Sequence, residues 1–345
     1  MSDSGALAGP KSQELTLALV KSGYANLNEM FDRLREQILQ RGHRVRVYAN
    51  DAALLSDPDA WAEIDLLMGV GTFPVSEAFL QQSPRLRGVL SAITGVEGFD
   101  LELASRHGVV VGNGQVPENS RSVAEATVLM VLASMYDLNG TQALLRNNMP
   151  RPLTRSTRIL QRQRIGFIGF GRIARIVAEL LSGWNVDMSY HARSEAKDAP
   201  AGVRRVDLET LLRQSDVVIV LAPLNADSLH LLDERRLGWM KPSALLVNMA
   251  RGAICDEAAL YRCLRDGGIA AAALDTFEVE PLPMDSPLRS LPNVILTPHV
   301  IGHTADAYDA IEANALESVL RLMAGKPPPH LLNPQALQRS RHLSA

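Results

Sequence analysis

The stretch Arg164–Leu181, RIGFIGFGRIARIVAELL, admits few folds. Its short apolar run Ile165-Gly166-Phe167-Ile168 fits a buried strand. The run breaks into Gly169-Phe170-Gly171-Arg172-Ile173-Ala174, a G-x-G-x-x-A turn. Ile173, Ile176, Val177, Leu180 and Leu181 then recur at the spacing of an amphipathic helix. Strand, glycine turn and helix, in that order, turn a weak pattern into a dinucleotide-binding hypothesis. Gly169 permits the tight turn, Gly171 lets a pyrophosphate approach the backbone, and Ala174 is small enough for close helix–strand packing. The helix start offers unpaired N–H groups and a positive dipole end to phosphates. The competing reading is a loop that needs glycine dihedrals and binds nothing, and both flanks weaken it.

The rest of the chain repeats the same alternation. Leu15–Val20, Arg44–Val47, Ile64–Val70, Val89–Ile93 and Val109–Val111 read as strands of a first parallel-sheet domain, with a helix over Leu27–Leu39. Ser122–Leu138 reads as a strongly apolar helix, buried nearly all round or packed at a subunit contact. Asn147–Pro152 carries two prolines and reads as a break. Beyond the glycine turn, Val186–Tyr190, Val217–Leu221, Ala244–Val247, Ile269–Leu274 and Val294–Leu296 are further strands, the last four continuous apolar runs as covered parallel strands should be. A helix over Asp207–Arg213 takes Asp207 as N-cap, and Asp306–Ala324 is a closing helix. At 345 residues the length suggests two domains. Lys plus Arg at 35 against Asp plus Glu at 38 gives a net charge of −3, which argues against nucleic acid or an anionic membrane as partner. Met1–Lys11 lacks the apolar core of a signal peptide. Ala126–Met135 is far short of the ~20 apolar residues that span a bilayer. Cys255 and Cys263 form no zinc-type cluster and fit a reducing cytoplasm.

Polar or special residues stand just beyond several strand ends, the edge where an open α/β sheet binds ligands: Pro223 after Ala222, Asn248, Asp275 and Thr297. Asn248-Met249-Ala250-Arg251-Gly252 places an arginine there, and a guanidinium can clamp a carboxylate with two parallel hydrogen bonds. Leu274-Asp275-Thr276-Phe277-Glu278-Val279-Glu280-Pro281 brings three carboxylates into six positions, although a bare charge run is more often a solvated loop. Leu296-Thr297-Pro298-His299 ends a strand on a histidine, a proton donor at neutral pH. Ile93-Thr94-Gly95-Val96-Glu97-Gly98 follows another strand; its N–H groups can hold an anion, and a plain turn is an equal alternative.

Taken together these segments resemble the D-isomer-specific 2-hydroxyacid dehydrogenase family over about Val89–Asn333. The resemblance rests on Gly166–Ala174, Asn248–Gly252, the DEAAL run Asp256–Leu260, Leu274–Pro281 and the PNVILTPH run Pro292–His299. It also rests on Asn119–Glu125 and on the closing helix before Lys326-Pro327-Pro328. It implies an α/β protein of two Rossmann-like, doubly wound parallel-sheet domains. Residues 118–304 would form a dinucleotide-binding domain inserted into a discontinuous substrate domain of residues 1–117 and 305–345. By the same resemblance Arg251 holds the substrate carboxylate, His299 is the acid/base, and Glu280 is its carboxylate partner, favouring imidazolium. Asp275 orients the nicotinamide carboxamide. Thr94, Gly95 and Val96 cradle the substrate carboxylate, and Asn119 faces the site. Gly169, Phe170, Gly171, Arg172, Ile173, Ala222, Pro223, Asn248, Met249 and Ala250 fall at the cofactor. The Ser122–Leu138 helix would form a homodimer. No metal is implied.

Two departures from the family pattern stand out. His303 occupies a place where a small residue is more usual. The second strand of the nucleotide domain ends in Tyr190-His191-Ala192-Arg193-Ser194. An NAD site wants Asp or Glu about 20 residues past the glycine turn, and here that position falls at His191. With Arg193 and Ser194 following, NADP(H) is expected to be preferred and NAD(H) possible. The expectation is a cytoplasmic NAD(P)-dependent oxidoreductase interconverting a 2-oxoacid and a D-2-hydroxyacid, of glyoxylate or hydroxypyruvate type. A formate-oxidising relative needs no proton transfer and carries glutamine beside its histidine, so Glu280 argues against it. A dinucleotide-sensing protein of the corepressor kind keeps the same three residues and stays open.

Overall fold

The computed structural model describes residues 14–23, 25–150 and 157–343. The N-terminal stretch Met1–Lys11 and the end of the expected break at Asn147–Pro152 lie outside them. The chain divides into two compact units, Met1–Val116 with Asp306–Ala345, and Pro117–Ala305.

The first unit runs β1 (Thr16–Val20), α1 (Ala25–Gln40), β2 (Arg44–Tyr48), α2 (Asp51–Leu55), β3 (Leu66–Gly69), α3 (Glu77–Gln82), β4 (Gly88–Ser91), α4 (Leu101–Arg106) and β5 (Val110–Gly112). The strands form one parallel sheet in the order β2-β1-β3-β4-β5. Side chains alternate across a strand, so β1 feeds two cores. Leu17 and Leu19 pack with Met30, Phe31 and Leu34 of α1, while Ala18 and Val20 pack with Trp61, Phe73 and Phe79 on the other face. The short helices start where a side chain accepts an otherwise unpaired amide: Asn50 from Ala53, Ser76 from Phe79, Asp100 from Leu103.

The second unit begins with α5 (Pro117–Met135) and α6 (Leu138–Arg146). It continues β6 (Arg164–Ile168), α7 (Arg172–Leu180), β7 (Asp187–His191), β8 (Arg204–Arg205), α8 (Leu208–Gln214), β9 (Val217–Val220), α9 (Glu234–Leu237), β10 (Leu245–Asn248), α10 (Glu257–Arg265), β11 (Ala271–Leu274) and β12 (Val294–Leu296). These seven strands are parallel, ordered β12-β11-β10-β9-β6-β7-β8. The winding reverses between β6 and β9, the crevice where doubly wound sheets bind nucleotides. The two parallel-sheet α/β halves are those the sequence implies.

One expected helix is corrected. Instead of spanning Ser122–Leu138, α5 starts at Pro117 and stops at Met135. Proline suits the first turn of a helix, where its missing N–H costs nothing. Leu138 opens α6 instead, behind Asp137, whose left-handed backbone and side chain cap the Gly140 amide. Nor is α5 buried all round: Leu129 is 51% exposed, and α6 buries none of its residues.

The chain then returns to the first unit through α11 (Ala305–Met323). Ile311, Ala315, Val319 and Leu322, with Ala336 and Leu343 beyond, join the core beneath α1. Asn333 is wholly buried. Its Oδ1 accepts the Val111 amide at 2.7 Å, and its Nδ2 donates to Val109 O and Ser105 Oγ at 3.0 Å each. Among the described residues no helix is long and apolar enough to cross a membrane.

Candidate active site

The glycine turn sits at the winding reversal because Ile168 pairs with His191 on one side and Val220 on the other. Gly169 holds φ at +86°, and a Cβ there would lie 2.6 Å from the backbone of Ala222. Only glycine fits that approach. Gly171 caps α7 with no side-chain hydrogen bond, and a Cβ there would meet nothing within 4 Å. A helix start with no side-chain cap, beside open space at Gly171, is what a pyrophosphate requires. Ala174 is fully buried against the sheet. Phe170, expected at the cofactor, turns its ring into the core and stacks on Tyr190 with centroids 4.4 Å apart. It therefore serves the turn only through its backbone. Arg172 and Pro223 are exposed, and Ile173 and Ala222 are half-buried.

Beyond β7 the chain carries no carboxylate before Glu195. The His191 ring lies 3.3 Å from Val206 O through Nδ1. Arg193 and Ser194 are exposed, and Arg193 Nη1 stands 3.7 Å from Asp227 Oδ2 in the loop after β9. Arg205 of β8 donates from Nη2 to Ala192 O and Arg193 O at 2.9 Å each. Sequence reasoning missed both Asp227 and Arg205, since a two-residue strand leaves no periodicity to read.

The second cluster forms at the ends of β10, β11 and β12. Asn248 is buried, donating to Arg251 O at 3.0 Å and accepting the Ala250 amide at 3.1 Å. Its side chain thus shapes the turn that presents Arg251. Met249 and Ala250 are nearly buried too, at 8% and 9% exposure. Arg251 donates to Ala250 O. A Cβ on Gly252 would lie 1.9 Å from the Phe277 carbonyl carbon, so the arginine turn and the acidic loop meet backbone to backbone.

The three carboxylates of that loop do not form a solvated run. Glu278 accepts the Glu257 amide at 3.0 Å and pairs with His230 at 3.0 Å. Glu280 Oε1 accepts the Phe277 amide at 3.0 Å, and its Oε2 lies 2.8 Å from His299 Nδ1. Burial alone would raise the Glu280 carboxyl. The His299 and Phe277 hydrogen bonds, with the charges of His299 and Arg251, outweigh it and hold the group below the usual carboxylate range. Asp275 is buried, and burial pushes its pKa up. Its Oδ1 accepts Thr297 Oγ1 at 2.6 Å and the Val300 and Ile301 amides at 3.2 and 3.4 Å. One oxygen of Asp275 thus brackets His299, which adopts the left-handed region at φ +55°. The His303 ring stands 6.4 Å from that of His299. Burial first, and the His299 charge second, depress the His303 pKa.

Arg251, Asp275, Glu280 and His299 therefore share the C-terminal edge of the seven-stranded sheet. Asn119 belongs to the first turn of α5 in the same unit. Thr94, Gly95 and Val96 belong to the other unit, after β4. There Asn113 Nδ2 holds Thr94 O at 2.8 Å, and Gly95 O sits against Gly71. A cavity of about 680 Å³ opens at the opposite, N-terminal edge of the seven-stranded sheet, by Met135, Asp137, Val217, Leu245 and Ile295. None of the expected site residues line it. Among the described residues no group of three or more His, Cys, Asp or Glu could hold a metal ion.

Comparison with known proteins places the chain. The profile described as "D-isomer specific 2-hydroxyacid dehydrogenase, NAD binding domain" matches residues 128–300. The glyoxylate reductase of Aeropyrum pernix is 34% identical over 285 residues, which is 80% of this chain and 85% of that one. The glyoxylate/hydroxypyruvate reductase B of Pectobacterium atrosepticum is 33% identical, over 84% of this chain and 91% of its own. The crystal structure of the TT0316 protein of Thermus thermophilus superposes with a TM-score of 0.79 at 28% identity, covering 92% of this chain and 100% of that one.

Proposed function

The chain belongs to the D-isomer-specific 2-hydroxyacid dehydrogenase family, an oxidoreductase family, and from that premise we propose a 2-oxoacid reductase acting on glyoxylate or hydroxypyruvate, with NADPH preferred to NADH. The observation that carries the reading is the 2.8 Å contact of His299 Nδ1 with a carboxylate held ionised, at the same sheet edge as Arg251. The relatives' names point to the substrate class.

The uncapped start of α7 and the open face of Gly171 fit a pyrophosphate, and Arg193 with Ser194 fits a ribose 2′-phosphate. When bound, the reduced nicotinamide supplies the hydride. Everything else falls to the chain. Arg251 clamps the substrate carboxylate in a bidentate fork. Glu280 fixes the His299 tautomer by accepting from Nδ1, which leaves Nε2 to carry the proton for the carbonyl oxygen. The Thr94–Val96 loop after β4 offers backbone amides that suit an anion. Residues 118–304 act as the nucleotide domain and residues 1–117 with 305–345 as the substrate domain. The reading includes a cytoplasmic homodimer, supported by apolar side chains exposed on α5, α6 and their flanks: Leu129, Tyr136, Leu138, Leu145, Met149 and Ile159.

The test is a panel of 2-oxoacids with NADPH and NADH, followed by loss of reduced-nicotinamide absorbance. Turnover of glyoxylate or hydroxypyruvate, faster with NADPH, is the expected result. Tight NADPH binding with no turnover of any 2-oxoacid would replace the reductase with a dinucleotide sensor.

A further inference from the structure

Arg193 and Asp227 form an ion pair that contributes little to the fold. Their side chains are 87% and 79% exposed and 3.7 Å apart, the kind of surface pair whose measured contribution is small. The backbones beneath them are held much more firmly. Arg205 fixes Ala192 and Arg193 through both carbonyls. On the other side, the Asn225 side chain accepts the Asp227 and Ser228 amides at 2.9 and 3.2 Å, and Ser228 Oγ accepts the Asn225 amide and donates to Pro223 O. Two firm loops, one after β7 and one after β9, thus face a loose cation and a loose anion toward each other beside the nucleotide crevice.

A ribose 2′-phosphate presents more negative charge than a carboxylate, but it would seek the same guanidinium. We infer that Asp227 is a specificity-determining residue of the cofactor site, a carboxylate that competes with the 2′-phosphate for Arg193. Without a 2′-phosphate, Asp227 neutralises Arg193. With one, Arg193 exchanges partners, and Asp227 is left as a like charge nearby. The preference for NADPH is then smaller than Arg193 alone would give. It is also sensitive to salt, because both interactions lie in solvent. The inference rests on the reading of Arg193 as the 2′-phosphate residue.

The experiment measures binary affinities of the full chain for NADPH, NADH and adenosine 2′,5′-bisphosphate by calorimetry or nicotinamide fluorescence, without turnover. Asp227→Asn is expected to tighten NADPH and the bisphosphate about three- to tenfold relative to NADH. That gain should shrink at high salt and fall in the Arg193→Ala background, where only the like-charge repulsion is left to relieve. Asp227→Glu, which keeps the charge, should bind as the parent does. An unchanged NADPH/NADH ratio in Asp227→Asn overturns the inference. So does a gain that persists in full on the Arg193→Ala background. The underlying reading fails separately, if Arg193→Ala alone leaves the NADPH/NADH ratio where it was.

Discussion

Two ends of one sheet edge are built on opposite plans. Around His299, Asp275 and Glu280 direct their oxygens to specific partners, and the backbone is bracketed into a left-handed conformation. Around Arg193, rigid loops carry side chains that lie almost wholly in solvent. Proton transfer tolerates little misplacement, since the donor must lie within hydrogen-bond reach of its target. Charge recognition acts over several ångströms and tolerates motion. The difference separates chemistry, fixed where side chains are closely hydrogen-bonded, from cofactor choice, adjustable where they are loosely paired in solvent.

The most severe way to break this contrast is at the closely hydrogen-bonded end. His299→Asn is expected to lower kcat about 10²–10⁴-fold, the usual contribution of general acid catalysis, with NADPH affinity nearly unchanged. Near-parental turnover would remove His299 as the proton donor. At the exposed end, Arg193→Ala should weaken NADPH by roughly 1.5–3 kcal/mol, the range for a hydrogen bond to a charged group. It should spare NADH and leave thermal stability alone. Equal losses for both cofactors would mean that the exposed end is structural after all.

Asp275→Ala sharpens the comparison from the packing side. It leaves a hydroxyl and two amides without their acceptor, at about 1–3 kcal/mol for a buried unsatisfied group, read as a lower denaturant midpoint together with a lower kcat. Asp275→Asn retains an acceptor and should recover most of the stability. The smallest effect is in pH. Because the Glu280 pKa is depressed in the folded chain, its ionised form adds stability above the ordinary carboxylate pKa and loses it as pH falls through that range. Glu280→Gln should therefore flatten the acid side of the stability curve. An acid-side stability curve superimposing on the parent's would show that the Glu280 carboxylate is not coupled to folding.

Much of the fold was legible because parallel strands covered on both faces are written as continuous apolar runs. Val217–Val220 and Leu245–Asn248 are buried at every position. The helix boundary between Met135 and Leu138 was not legible, because Tyr136 and Leu138 continue the apolar pattern while Asp137 breaks it through its backbone angle. At the site, residue types and order were enough to single out Arg251, Glu280 and His299. What Asn248 and Phe170 do was hidden, since both stand in the right motif and turn their side chains inward. Arg205 and Asp227 were invisible for a different reason. Each is an ordinary surface charge until tertiary structure brings its loop beside Arg193.

The placement of Asn333 bears on how the protein is made. Its side chain bonds Ser105, Val109 and Val111, and α11 fills the core of a sheet whose strands all precede Val116. A ribosome therefore emits the five-stranded sheet first and its missing wall last, with the whole of Pro117–Ala305 synthesised in the interval. The second unit is continuous and can close as it emerges. The nascent first sheet must wait with that face covered by α1 alone, a period in which a chaperone has apolar surface to hold.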